Sequence, residues 1–166
     1  MTNIVLDTNV WRRALCDSDW NYEDDYVVSV FKTKKELGLA IDYEQQILQE
    51  YRDNLGSESR RFEKYYNQFS KEKRISLFDS KIPEKLLKEL KNRGFHEPED
   101  QIFLGTAYHA DKILITSDGD YGIEIDYGKK DAKQKKLVNK YITEKMGVTL
   151  HTPKQCMDTE YLQTLM

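Results

Sequence analysis

Cysteine is scarce: Cys16 and Cys156 are the only two in 166 residues. They lie far apart with no metal-type spacing, which argues against a disulfide scaffold and favours a reducing cytoplasm. No run of about 18 apolar residues exists, so a membrane span is not expected. The basic-then-apolar pattern of a secretory signal is also missing, because Asp7 follows only three apolar residues. Histidine is sparse too. His96, His109 and His151 are scattered and form no ligand pair, so each is expected on the surface or satisfied in the core. Neither sign of charge dominates: 26 basic and 29 acidic side chains leave a formal charge of -3. That balance excludes a global pull toward nucleic acid, and a nucleic-acid enzyme would need local basic patches.

What is present is an alternation of strand-like and helical runs. The apolar run Ile4-Val5-Leu6 predicts a buried strand, followed by a helix from about Thr8 to Cys16. An acidic loop, DSDWNYEDD, precedes a helix around YVVSVFKTKKEL, with Gly38 as its stop. GLAID predicts a second strand. Tyr43, Ile47 and Tyr51 then mark one face of a helix that Gly56 ends. A polar helix follows from Ser57, and RISLFD, KILIT and VTLHT predict three more strands. Pro83, Pro98 and Pro153 each suit a first helical turn, where a missing N–H costs nothing, and Thr152 suits the cap of the last helix. Strand and helix in alternation imply an α/β fold: a three-layer α/β/α sandwich around a central, mainly parallel sheet. One domain over residues 1–166 is expected, with no repeat or linker, and the charged stretch after residue 127 is the one candidate for poor order.

Carboxylates sit at the ends of these strands. Asp7 directly follows IVL, and Asp118 and Asp120 follow KILIT. In open parallel sheets, ligands collect outside the carboxyl ends of strands. The ordinary alternative for Asp7 is a cap on the next helix. Asp100 falls in the first turn of a helix beginning at Pro98, where attraction to the helix dipole is its own sufficient explanation. A further acid is expected from YEQQILQEY. Glu44 and Glu50 both flank its apolar face, about 60 degrees to either side, and geometry does not choose between them. Like charges gathered in one place resist ionisation, and a hard divalent cation such as Mg²⁺ or Mn²⁺ relieves them. Such a cation can polarise a phosphoryl oxygen and lower the pKa of water, which is the chemistry of phosphodiester hydrolysis.

The order IVLDTNV, ILQEY, DQIFLGTAYHADKILITSDGDYG resembles the PIN-domain nucleases over residues 3 to 122. The resemblance implies a three-layer α/β/α fold and Mg²⁺- or Mn²⁺-dependent endonuclease activity, usually on RNA. It also implies Asp7, Glu50, Asp100, Asp118 and Asp120 as the catalytic acids, with Asp7, Asp100 and Asp118 on the metal. Within it, Glu50 takes the place that geometry left open to Glu44. Asn9 and Thr116 match the polar residues that orient the acids. The stretches 17–36 and 129–140 are longer than a minimal toxin-type PIN domain needs, which leaves the subfamily open. A toxin of a toxin–antitoxin or defence system is the suspected setting. The partners expected are an RNA substrate (DNA being the other nucleic acid open), an antitoxin or other protein, and a second copy of the chain, with no membrane.

Acids repel a phosphate backbone, so cations must hold it. RRFEKYYNQFSKEKR interleaves Arg60, Arg61, Lys64 and Arg74 with Phe62, Tyr65, Tyr66 and Phe69. The ordinary reading, an amphipathic helix with core aromatics, is favoured for those rings. Lys129, Lys130 and Lys133 open a second basic stretch just beyond SDGDYG, for which a solvated helix face is the plain alternative. The substrate contacts expected are therefore Lys129, Lys130, Lys133, Arg60 and Arg61. A haloacid-dehalogenase-type phosphatase needs a second acid two residues after Asp7, where Asn9 stands. A Toprim-like nuclease would leave Asp7 and Asp100 unexplained. The non-enzyme rival is a catalytically weak PIN scaffold that binds RNA or protein.

Overall fold

The computed structural model describes residues 1–123 and 128–166. Strands β1 (Thr2–Leu6), β2 (Leu37–Asp42), β3 (Ile75–Phe78), β4 (Ile113–Ile115) and β5 (Thr149–His151) form one sheet in the order β3-β2-β1-β4-β5. Every pairing is parallel. Between them run α1 (Thr8–Leu15), α2 (Tyr22–Thr33), α3 (Gln46–Leu55), α4 (Ser59–Lys71), α5 (Glu84–Asn92), α6 (Pro98–His109) and α7 (Ala132–Glu144), with α8 (Pro153–Asp158) after β5. This is the expected three-layer α/β/α sandwich. β2 and β4 are buried along their whole length, as strands covered on both faces must be, so they read as unbroken apolar runs.

The chain steps outward from β1 to β2 to β3, then returns to the other side of β1 to lay down β4 and β5. With right-handed crossovers, that reversal places α1 to α4 on one face and α5 to α7 on the other. α6 packs on β1, β2 and β4, while α1 packs on α2, α3 and α4. The gap between β1 and β4 is therefore the switch point of the sheet, where a cleft opens at the carboxyl ends. Gly105 lets α6 lie close against the connection that follows β3: a Cβ there would lie 1.7 Å from the Ser80 carbonyl oxygen.

Local signals are overridden at several positions. α2 starts within the acidic stretch, where the Asn21 side chain accepts from the Glu23 N–H, and it ends at Thr33. Gly38 lies inside β2, paired with Asn3 of β1, as the expected GLAID strand implied, and the preceding helix stops earlier than expected, at Thr33. Tyr43 precedes α3 and is exposed, so the buried face of that helix is Ile47, Leu48, Tyr51 and Leu55. Pro83 sits one place before α5 as its cap, while Pro98 and Pro153 occupy first turns as expected. Thr152 closes a reciprocal cap with Gln155. The charged stretch beyond residue 127 is not poorly ordered throughout, since α7 occupies 132–144 and buries Val138, Tyr141 and Ile142.

The aromatics of α4 are core groups. Phe62 and Phe69 are fully buried, and Phe62 meets Trp11 edge-on with ring centroids 5.0 Å apart. Arg74, grouped with the nucleic-acid cations on sequence, is 2% exposed. Its guanidinium donates to the carbonyls of Phe31, Lys34 and Leu37 and pairs with Glu72 at 2.7 Å. A buried charge is tolerable only when so many partners replace its water. Among the described residues, no helix is long and apolar enough to cross a membrane.

Candidate metal centre

Asp7 occupies the N-cap position of α1, yet its side chain makes no capping bond. The capping role expected of a strand-end aspartate is filled one strand over. Asp42, at the end of β2, accepts the backbone N–H groups of Gln46 (3.0 Å) and Ile47 (2.9 Å). Asp7 instead accepts the Thr116 hydroxyl at 2.6 Å. This bond exists because β4 lies beside β1 in the register Val5↔Leu114 and Leu6↔Ile115, which carries Thr116 to the level of Asp7. The Tyr51 hydroxyl donates to the Leu6 carbonyl and pins the end of β1 to α3, the helix that carries Glu50.

The same Thr116 oxygen accepts the Asp118 N–H at 2.9 Å, and the Asp118 carboxylate accepts the Asp120 N–H at 2.9 Å. The loop after β4 is thus folded so that both acids face the switch point. Asp100 arrives from the first turn of α6. The buried Tyr121 hydroxyl lies 3.3 Å from its carbonyl and 3.4 Å from its carboxylate, tying α6 to the same loop. Asp7, Asn9, Glu50, Asp100, Asp118 and Asp120 all line one cleft of about 200 Å³. Glu44 is exposed and accepts from the Gln46 side chain, outside that cleft.

Within the cleft the tightest group differs from the expected one. Among the described residues, Asp100, Asp118 and Asp120 offer oxygens that all lie within 4.8 Å of one another, whereas Asp7 stands beside that triple. Glu97, Glu99 and Arg12 also line the cleft and were missed on sequence. Glu97 and Glu99 belong to the EPED run that delivers Asp100, so that run was their available signal. Arg12 had none, since only the tertiary placement of α1 beside α3 brings it to the cleft wall.

Burial and crowding raise the proton affinities of Asp7, Glu50, Asp100 and Asp118. Burial, then the charge of Asp118, lifts Asp7 to about 6, against the Thr116 hydrogen bond that opposes the rise. Glu50 is pushed up to about 7 by burial, with Glu99 and Asp7 adding repulsion. Asp100 is raised further, by burial first and then by Asp118 and Asp120. Asp118 is raised by burial, with the Asp120 N–H and the Lys135 ammonium working against it. Lys135 lies 3.6 Å from Asp120 and 3.4 Å from Asp131. The donor set is all oxygen and carries excess negative charge, which suits a hard divalent cation and no soft one.

The expected substrate cations divide. Lys129, Lys130 and Lys133 are exposed at the start of α7, and Lys135 is the lysine of that stretch that meets the acids. Arg60 is exposed. Arg61 donates to the Leu15 carbonyl and pairs with Asp17 (3.7 Å) and Glu58 (3.8 Å), at the opposite end of α1 from Asp7.

Thr116 tests how the site is aligned. Thr116→Val is expected to lower activity about 10- to 100-fold, the usual cost of losing an orienting partner, while Thr116→Ser retains most of it. Equal activity in Val and Ser variants, measured at matched stability, would remove the hydroxyl from the account.

Compared with known proteins, the sequence matches no family model and no curated protein.

Proposed function

We propose that the protein is a PIN-like, metal-dependent endonuclease that hydrolyses phosphodiester bonds in RNA. The observation that carries this reading is the convergence of seven acids, Asp7, Glu50, Asp100, Asp118 and Asp120 with Glu97 and Glu99, from four separate segments at the switch point of a parallel sheet. Burial and mutual repulsion raise the proton affinities of Asp7, Glu50 and Asp100 within that group. A folded chain gains nothing structural from such a cluster. Asp100, Asp118 and Asp120 would hold Mg²⁺ or Mn²⁺, with Asp7 contributing charge from the adjoining wall. When bound, the cation supplies Lewis acidity toward a phosphoryl oxygen and a water of lowered pKa.

The side chains do the rest. Glu50, on the cleft wall with its proton affinity raised by burial, is the side chain that would accept a proton from water at a carboxylate oxygen. Thr116 and Tyr121 hold Asp7 and Asp100 in place. Among the described residues, the cleft itself is walled by carboxylates and no histidine pair, and the one histidine nearby, His96, lines an adjoining cavity. The expected products therefore carry a 5′-phosphate and a 3′-hydroxyl. The resemblance to PIN nucleases extends the proposal to a cytoplasmic toxin with a cognate antitoxin.

The deciding experiment incubates labelled single-stranded RNA, tRNA and DNA with the protein in Mg²⁺, Mn²⁺ or EDTA. Cleavage of RNA only with metal, leaving 5′-phosphates, supports the proposal. Full activity in excess EDTA, or ends carrying a 2′,3′-cyclic phosphate, would overturn the mechanism. RNA binding without cleavage under any metal would favour the inactive-scaffold alternative.

Substrate grip is separable from cutting. Replacing Lys129, Lys130 and Lys133 with alanine is expected to weaken RNA binding and flatten its salt dependence. The log–log slope should fall by about 0.7 for each phosphate that is no longer neutralised. An unchanged slope across a salt titration would return these lysines to a solvated face.

A further inference from the structure

Lys135 of α7 stands between two acids with different surroundings. One is Asp120 of the metal-holding triple, 3.6 Å away. The other is Asp131, 3.4 Å away, at the N-cap of α7 and outside the acid cleft. We propose that Lys135 is the resident counter-ion of the acid cluster: its ammonium covers Asp120 until a divalent cation binds, then withdraws to Asp131. The Lys135–Asp131 pair thereby sets how tightly the site takes its metal. The proposal rests on the metal-site reading above and adds a positioning residue to it.

Backbone packing puts Lys135 there. Gly122, at φ +74°, has no room for a side chain: a Cβ would lie 2.0 Å from the Lys135 carbonyl oxygen and 2.7 Å from the Asn139 Cβ. Beside that contact the Asn139 amide donates to the Tyr121 carbonyl at 3.4 Å. α7 is thus held against the loop that carries Asp118 and Asp120. The Lys135 ammonium comes to lie by Gly119, where an added Cβ would stand 3.6 Å from it. Lys129, Lys130, Lys133 and Lys136 of the same stretch are exposed, whereas the Lys135 side chain is 30% exposed and turned to the acids.

Electrostatics decides what the ammonium does in that place. Burial raises the proton affinity of Asp118, and the Lys135 charge works against the rise, as a counter-ion must. A divalent cation on Asp100, Asp118 and Asp120 supplies that service with twice the charge, and it repels the ammonium at close range. Both ion pairs of Lys135 are longer than a direct hydrogen bond and partly exposed, so exchanging one for the other costs little. A cavity of about 160 Å³, lined by Asp120, Asp131 and Lys135 itself, gives the side chain room to move.

Calorimetric titration of the full chain with Mn²⁺ at pH 8 reads the effect without any substrate. Lys135→Met keeps the aliphatic stem and removes the competing charge. Mn²⁺ is then expected to bind about 3- to 10-fold more tightly, while the metal-free protein melts at a lower temperature. Asp131→Asn has the opposite sign: it removes the resting place, leaves the ammonium on Asp120 and should weaken Mn²⁺ binding about 3-fold. In the double variant the Asp131→Asn effect should vanish, because no ammonium is left to withdraw. Equal or weaker Mn²⁺ binding by folded Lys135→Met, or an Asp131→Asn effect undiminished in the double variant, overturns the counter-ion role. RNA cleavage by a chain whose variants all bind Mn²⁺ alike sinks this proposal and leaves the nuclease reading standing. The expected shifts in a chain that cuts no RNA sustain the counter-ion and sink the nuclease reading. A wild-type chain that binds no Mn²⁺ overturns both.

Discussion

Asp7→Asn is expected to cut nuclease activity by on the order of 10³-fold, roughly 4 kcal/mol of barrier, while making the metal-free protein more stable. The two effects have one origin. Asp7 is buried against Thr116 and beside Asp118, so its ionised form is disfavoured and its pKa sits at about 6. Asparagine keeps the shape and can still accept the Thr116 hydroxyl, but it brings no charge to a cation. Against an ordinary value of 3.8, ionising Asp7 above pH 6 costs the folded state on the order of 3 kcal/mol. Removing that cost should raise the melting temperature at pH 8 by roughly 5–10 °C for a chain of this size. Thermal melts in EDTA and cleavage assays in Mg²⁺ check both halves. A variant that is inactive and also less stable would mean that Asp7 is structural, and the functional assignment of that acid would fall.

The second large effect is a dependence of stability on pH that the metal reverses. Asp7, Glu50 and Asp100 have folded pKa values raised above their unfolded ones. Between about pH 4 and pH 8 the folded state therefore binds more protons than the unfolded chain, and stability must fall as pH rises through that window. The melting temperature of metal-free protein should decline steadily from pH 5 to pH 8. Mg²⁺ binds only the deprotonated acids, so its stabilisation should be small at pH 5 and largest at pH 8, about 2.7 kcal/mol at a hundredfold excess over Kd. A flat metal-free profile would show that the acids do not repel one another as their positions imply. Equal stabilisation by Mg²⁺ at both pH values would place the ion elsewhere.

The amino-acid sequence was most legible where one physical effect dominated. Strand-like runs located all five strands, most plainly β2 and β4, which are covered on both faces and so have no polar side to confuse the pattern. Where two effects competed, local reading failed. The helix before β2 looked as if it ran on to Gly38 but ends at Thr33, and Tyr43 looked like part of a helix face and became exposed. Arg74 looked like a surface cation, yet three carbonyls from distant segments made its burial tolerable, and no local pattern announces such a set.

The candidate site divides in the same way. That Asp7, Asp118 and Asp120 each follow an apolar strand, and that Asp100 opens a helix, is written in the chain itself. Which of these meet is not. The return of the chain to the far side of β1 seats β4 there, and the register of those two strands brings the Thr116 hydroxyl to Asp7. The exchange of Asp120 for Asp7 in the tightest triple, and the entry of Glu97, Glu99 and Arg12 into the cleft, also depend on that packing. Hydrophobic periodicity acts over a few residues and is carried by local sequence. The proton affinity of a carboxylate depends on burial and on charges a few ångströms away, so only the tertiary structure could set it.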